Sequence, residues 1–96
     1  MADAGILREI ILRNRHGFHL RPASLFVMEA NRHQAEVFVS VDGGDEGNGK
    51  SILDLSARAA ERGACLTIRT VGPDAREAIE ALARLVESGF GEDMGA

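Results

Sequence analysis

Between Asn14 and Ala23 the chain reads Asn-Arg-His-Gly-Phe-His-Leu-Arg-Pro-Ala, which places His16, His19, Arg15 and Arg21 around one glycine and just ahead of a proline. A neutral imidazole nitrogen can attack a phosphoryl group and form an N–P bond that leaves readily, so a histidine can serve as a phosphate carrier. Such chemistry needs an exposed nucleophile, a means of settling incoming negative charge, and a cation to steady the oxygens. Arg21 supplies the last through its planar fork of donors. The stretch lies between the apolar run Ile6 to Leu12 and an amphipathic pattern from Pro22 to Ala30. That order predicts strand, tight turn and helix, with His19 immediately before the helix. Proline suits a helix start, where its missing N–H costs nothing. The unpaired amides and positive dipole end there favour an anion, phosphate above all. Spacing alone leaves a second account open, in which His19 caps the helix and Arg21 is a solvated surface charge.

Two other constellations invite chemistry and are set aside. Gly44 to Ser51 matches G-x-x-x-x-G-K-S, the phosphate loop of nucleotide hydrolases, and it follows a strand and precedes a helix. That fold also needs several parallel crossovers and an acidic residue at a later strand end to help hold Mg²⁺. After Ser51 one convincing strand remains, ending Arg69-Thr70-Val71-Gly72 with no acid at its tip, and Asp45 and Glu46 would repel a triphosphate. The segment reads instead as a turn ending in a serine helix cap. His16, His19, His33 and Cys65 are numerous enough for a metal, but none of the spacings that build zinc sites is present. We therefore expect no metal and no cofactor.

The positioning elements follow from periodicity. Residues 6–12 read as a strand with Ile6, Arg8, Ile10 and Leu12 on one face. A helix runs from about Leu20 to Asn31 with Ala23, Phe26, Val27 and Ala30 inward. Glu36 to Val41 alternates as a strand, and Asp42 to Gly49 is a glycine- and acid-rich turn with little support for a further strand. Ser51, with Asp54 three residues on, caps a helix from Ile52 to about Arg62, closed by Gly63. Leu66 to Val71 is a strand. Asp74 caps the last helix, whose inward face is Ala75, Ile79, Leu82, Ala83 and Val86, and the tail after Gly89 frays. The order β-α-β-(β)-α-β-α in 96 residues gives one α+β domain, a small sheet with helices on one face.

A net charge of -4 argues against nucleic-acid or anionic-membrane binding, while Arg13, Arg15 and Arg21 form a local basic cluster suited to a small anion. Cys65 is the lone cysteine, so no intrachain disulfide forms, and its apolar setting predicts burial. The first residues lack the features of a secretion signal, and no apolar run approaches membrane-spanning length. A cytoplasmic, soluble protein without membrane insertion is expected.

The pattern Asn14-x-x-Gly17-Phe18-His19-x-Arg21-Pro22-Ala23 closely resembles the active-site motif of HPr, the histidine-containing phosphocarrier of the bacterial phosphoenolpyruvate:sugar phosphotransferase system. The likeness continues in Asn48-x-Lys50-Ser51-Ile52, similar to the family's regulatory-serine segment, in Glu61-x-Gly63, and in Gly72-x-Asp74, covering roughly residues 6–90. The resemblance implies an HPr-like open-faced sandwich, a four-stranded antiparallel sheet with three helices on one face. It implies that His19 accepts phosphate through Nδ1 from enzyme I, itself charged by phosphoenolpyruvate, and passes it to an enzyme IIA, with Arg21 stabilising the phosphate. Ser51 then matches the serine modified by HPr kinase/phosphorylase. A dianion there would sit at a helix N-terminus, on a surface that partners approach. Leu20, Ile52 and Leu53 are the expected docking residues. A monomer is expected, acting as a carrier and not as an enzyme in its own right. The alternative is a regulatory binding module controlled through Ser51, with transfer through His19 secondary. Asp42–Gly49 departs from the family in its excess of glycine and acid.

Overall fold

The computed structural model describes residues 5–92. Strands β1 (Ile6–Ile11), β2 (Glu36–Val41), β3 (Gly47–Asn48) and β4 (Cys65–Val71) form one sheet in the order β1-β4-β2-β3, with every pairing antiparallel. Helices α1 (Leu20–Ala30), α2 (Ile52–Ser56) and α3 (Ala75–Glu87) join it, the last followed by a 3-10 turn at Gly89–Gly91. The two central strands bury alternate residues: Leu66, Ile68 and Thr70 of β4 meet Val37 and Val39 of β2 beneath the helices. Phe26 and Ala30 of α1, and Ile79, Leu82 and Val86 of α3, close over them. This is the α+β open-faced sandwich implied by the HPr resemblance.

Five expectations need correction. The Asp42–Gly49 segment does contain a strand, β3, whose two residues pair with Val39 and Phe38. Cys65 is half-buried: inward residues of β4 alternate from Leu66, so parity turns Cys65 toward the uncovered face of the sheet. Asp74 occupies the N-cap position of α3 but does not cap it. Its carboxylate accepts instead from the amides of Gln34 and Ala35, at 3.0 and 2.8 Å, tying the α1–β2 turn to α3.

The other two corrections bear on the site. Helix α2 stops at Ser56, well short of Arg62. The backbone beyond it is drawn off to brace the residues leading into α1. Phe18 and Ala60 exchange two hydrogen bonds of 2.7 and 3.0 Å, the Leu12 amide donates to Ala64 at 2.9 Å, and the Gly63 amide donates to Leu12 at 2.8 Å. The tail does not fray at Gly89. Phe90 is only 2% exposed and packs on Phe18, with ring centroids 6.0 Å apart. This turn carries Glu92 back to the helix start, while the expected fraying of residues 93–96 lies outside the described residues. Among the described residues no helix is long and apolar enough to cross a membrane.

Candidate functional site

His19 is the N-cap residue of α1, in extended backbone geometry with no capping bond from its side chain. The first intrahelical bond runs from the Ala23 amide to the His19 carbonyl at 2.9 Å. Pro22 is thus the third helical residue and not the first, yet still within the turn whose amides lack intrahelical acceptors. The amides of Leu20 and Arg21 precede that first bond and belong to the positive end of the helix.

Three features hold the histidine in place from behind. The Asn14 carbonyl accepts from the Gly17 amide at 3.1 Å, and the fully buried Asn14 side chain donates to the Gly17 carbonyl at 2.6 Å. Gly17 itself has φ +67, where a side chain is strained, and a Cβ there would fall on the Ala60 carbonyl oxygen. Phe18 is 1% exposed and lodged among Phe26, Phe90 and the Ala60 backbone. A buried aromatic immediately before the histidine turns the next side chain outward: that of His19 is 40% exposed.

Glu92 completes the arrangement and was missed at the level of sequence. Its carboxylate is 3.0 Å from Asn14 Nδ2, 3.3 Å from His19 Nε2 and 3.5 Å from the Arg21 guanidinium. Nε2 is buried and lies off the line of a well-formed hydrogen bond, although within ion-pair distance. A carboxylate on that side favours the tautomer with the proton on Nε2 and leaves the lone pair on Nδ1. Desolvation pushes the Glu92 carboxyl pKa up, but the Asn14 hydrogen bond and the charges of His19 and Arg21 outweigh it, so the net shift is downward. A carboxyl lowered on folding contributes stability above its ordinary range, and that contribution is lost as pH falls through the folded value. The Glu92 amide donates to the Gly89 carbonyl at 2.9 Å, so its hydrogen-exchange protection factor is expected to drop on acidification. In Glu92→Gln that acid-side drop disappears.

Ser51 lies at the start of α2, where its Oγ accepts from the Asp54 amide at 3.1 Å, as the cap spacing predicts. The reciprocal half of the box is not formed. The Asp54 carboxylate accepts from the Asn48 amide at 2.8 Å and pairs with Arg58. Lys50, next to the serine, donates to the His33 carbonyl at 2.6 Å, which fastens this corner to the end of α1. Asp45 and Glu46 of the phosphate-loop lookalike are engaged by Arg58 and Arg69 at 2.8 and 2.7 Å, so that segment is a braced hairpin and not an amide cradle. Leu20, Ile52 and Leu53 are 64, 38 and 81% exposed. The structure therefore brings His19 and Arg21 together with Asn14 and Glu92, and leaves Ser51 as the N-cap of a separate helix. A signal for Glu92 was present in Phe90, one of four phenylalanines, isolated between glycines in a tail otherwise poor in apolar residues. A phenylalanine gains about 1.5–3 kcal/mol when fully buried, which favours folding such a tail back onto the core.

Residues 6–88 match the family model described as the PTS HPr component phosphorylation site, and the chain belongs to the HPr family, phosphocarriers of the phosphotransferase system. It is 40% identical over 80 residues to the HPr-like protein Crh of Halalkalibacterium halodurans, covering 83% of this chain and 94% of that one. The solved phosphocarrier protein HPr of Bacillus anthracis superposes with a TM-score of 0.80 at 40% identity, covering 88% of this chain and 99% of that one. A solved dimer of HPr from Thermoanaerobacter tengcongensis superposes at 0.71 with 36% identity, covering 86 and 94%. Dimers thus occur among the relatives, which qualifies the expectation of a monomer.

Proposed function

We propose that this chain carries a phosphoryl group on Nδ1 of His19, accepting it from enzyme I and passing it to an enzyme IIA in the cytoplasm. The observation that carries the reading is the Glu92 carboxylate against Nε2, 3.3 Å away, with Arg21 on the same oxygen. In the forward step the Nδ1 lone pair forms a bond to phosphorus as the bond to the donor's carrying atom breaks. Nε2 keeps its proton throughout, and Glu92 offsets the positive charge that the ring acquires. Arg21 is 65% exposed and its contact with Glu92 is a long surface pair, worth little, so it is easily redirected to the phosphoryl oxygens. The amides at the start of α1 accept the remaining charge. Transfer onward is the same displacement with the next acceptor as nucleophile. No cofactor takes part, and each step is completed by a partner protein.

Incubation with enzyme I and phosphoenolpyruvate is expected to add one acid-labile phosphate by intact mass, absent in His19→Ala. Equal labelling of that variant overturns the assignment.

The place of Ser51 at the start of α2 favours a second reading, in which its phosphorylation by an HPr kinase/phosphorylase regulates docking. The serine stands at a helix N-terminus beside the exposed Ile52 and Leu53, where a dianion changes the surface that a partner meets. Under this reading Ser51→Asp changes affinity for an HPr-binding partner at least tenfold by calorimetry, even in the His19→Ala background. Unchanged affinity removes it.

A further inference from the structure

One imidazole of the site has no part in the chemistry above. His16 is exposed on the turn before His19, with its ring at 86° to the His19 ring and the centroids 5.9 Å apart. The backbone turn that carries both rings is held by more than sequence proximity. The Asn14–Gly17 hydrogen bonds fix the turn on one side, and the Phe18–Ala60 pairing fixes it on the other. His16 also lines a shallow groove of about 430 Å³ with Arg15, Glu61 and Arg62. The charged groups around the pair are therefore Arg15 on the same turn, Glu61 and Arg62 from the segment after α2, Arg21 from α1, and Glu92 from the C-terminal turn. Glu92 covers Nε2 of His19, so a phosphoryl group on that ring projects from its other nitrogen. A phosphoryl oxygen so placed can accept from a ring nitrogen of a neighbour at this separation.

We propose that His16 is a second phosphate-binding residue, donating an N–H to the phosphoryl group on His19 and taking up a proton when that group arrives. The proposal rests on the reading of His19 as the carrier and adds a proton to its cycle. Imidazole is the side chain that changes charge around neutrality, and a dianion within a few ångströms favours its cationic form. Loading the carrier then raises the proton affinity of His16. Reciprocally, a protonated His16 lowers the pH at which the phosphoryl group itself takes up a proton.

The test needs no partner protein. Potassium phosphoramidate phosphorylates exposed imidazole: the phosphorus–nitrogen bond to ammonia breaks, the bond to the ring nitrogen forms, and ammonia leaves. The His16 ring protons are titrated by NMR in the free and phosphorylated protein, and the phosphoryl group is followed by phosphorus NMR in the wild type and His16→Asn. The His16 midpoint is expected to rise by about one pH unit on loading, a tenfold gain in proton affinity. The phosphoryl midpoint is expected to lie lower in the wild type than in His16→Asn. A His16 midpoint that stays put, or a phosphoryl titration identical in both proteins, overturns the proposal. The carrier reading beneath it is tested separately, by labelling with enzyme I and phosphoenolpyruvate, where undiminished labelling of His19→Ala overturns that reading and not this one, so the two failures are separable. His16 is exposed, so the Asn variant is expected to fold, and its amide spectrum reports whether it does.

Discussion

Phe90→Ala is expected to lower the unfolding free energy by about 3–5 kcal/mol in urea denaturation, the cost of emptying a buried phenylalanine site. That is a large part of the roughly 5–15 kcal/mol available to a small domain. The ring is 2% exposed and packs on Phe18, which itself meets Phe26 edge-on with centroids 6.1 Å apart. Phe90 also sits at φ +58, a left-handed conformation that a bulky residue adopts only when its surroundings hold it there. Phe90→Gly loses the same packing but removes that backbone strain, so it is expected to be the less damaging of the two. The order matters: if glycine is as costly as alanine, strain contributes nothing. A loss below about 1 kcal/mol for alanine would show that the turn does not pack on Phe18 in solution. The consequence reaches the chemistry. Once Phe90 is released, Glu92 no longer has a fixed position beside His19, and phosphorylation by enzyme I is expected to slow even in molecules that remain folded.

The second large effect is expected at Gly17. Alanine there meets two separate penalties. At φ +67 an L-residue costs about 1–2 kcal/mol, and overpacking against fixed backbone adds about 1–3 kcal/mol. The added Cβ would meet the Ala60 oxygen and lie 2.7 Å from the Glu61 carbonyl carbon, which are backbone atoms and cannot rotate away. The outcome expected is loss of the Phe18–Ala60 pairing, read as faster hydrogen exchange at the Phe18 amide, together with a lower denaturation midpoint. Gly63→Ala provides the contrast. It also has positive φ, at +95, but its Cβ would enter open space, so only the conformational penalty applies. Equal destabilisation by the two substitutions would show that close approach to Ala60 is not what the site requires of Gly17.

The regular elements were legible because their signals are local. Alternation of Val37, Val39 and Val41 defined β2 to its observed ends, and the helical period of Ile79, Leu82, Ala83 and Val86 defined the inner face of α3. His19 and Arg21 were legible because a histidine before a proline-bearing first helical turn is a local arrangement too. Where the reading failed, a long-range contact had overruled a local preference. Ala57 to Ala60 favours helix by residue type, but the differences in propensity are only tenths of a kcal/mol per residue. Two hydrogen bonds to Phe18 and the burial of that ring exceed them. Asp74 looked like a cap because of its position, yet its carboxylate bonds to amides some forty residues earlier in the chain.

The nucleophile and cation proposed above were thus drawn from sequence alone, since ten consecutive residues contain the turn, the imidazole, the helix start and the arginine. Only the tertiary structure places a carboxylate against one of the two ring nitrogens, the feature from which the proposal takes Nδ1. That choice depends on Glu92, 73 residues beyond His19, and on a buried phenylalanine that brings it back. No periodicity or spacing encodes such a contact. It exists because one isolated aromatic side chain gains more from the core than the last turn loses by being ordered.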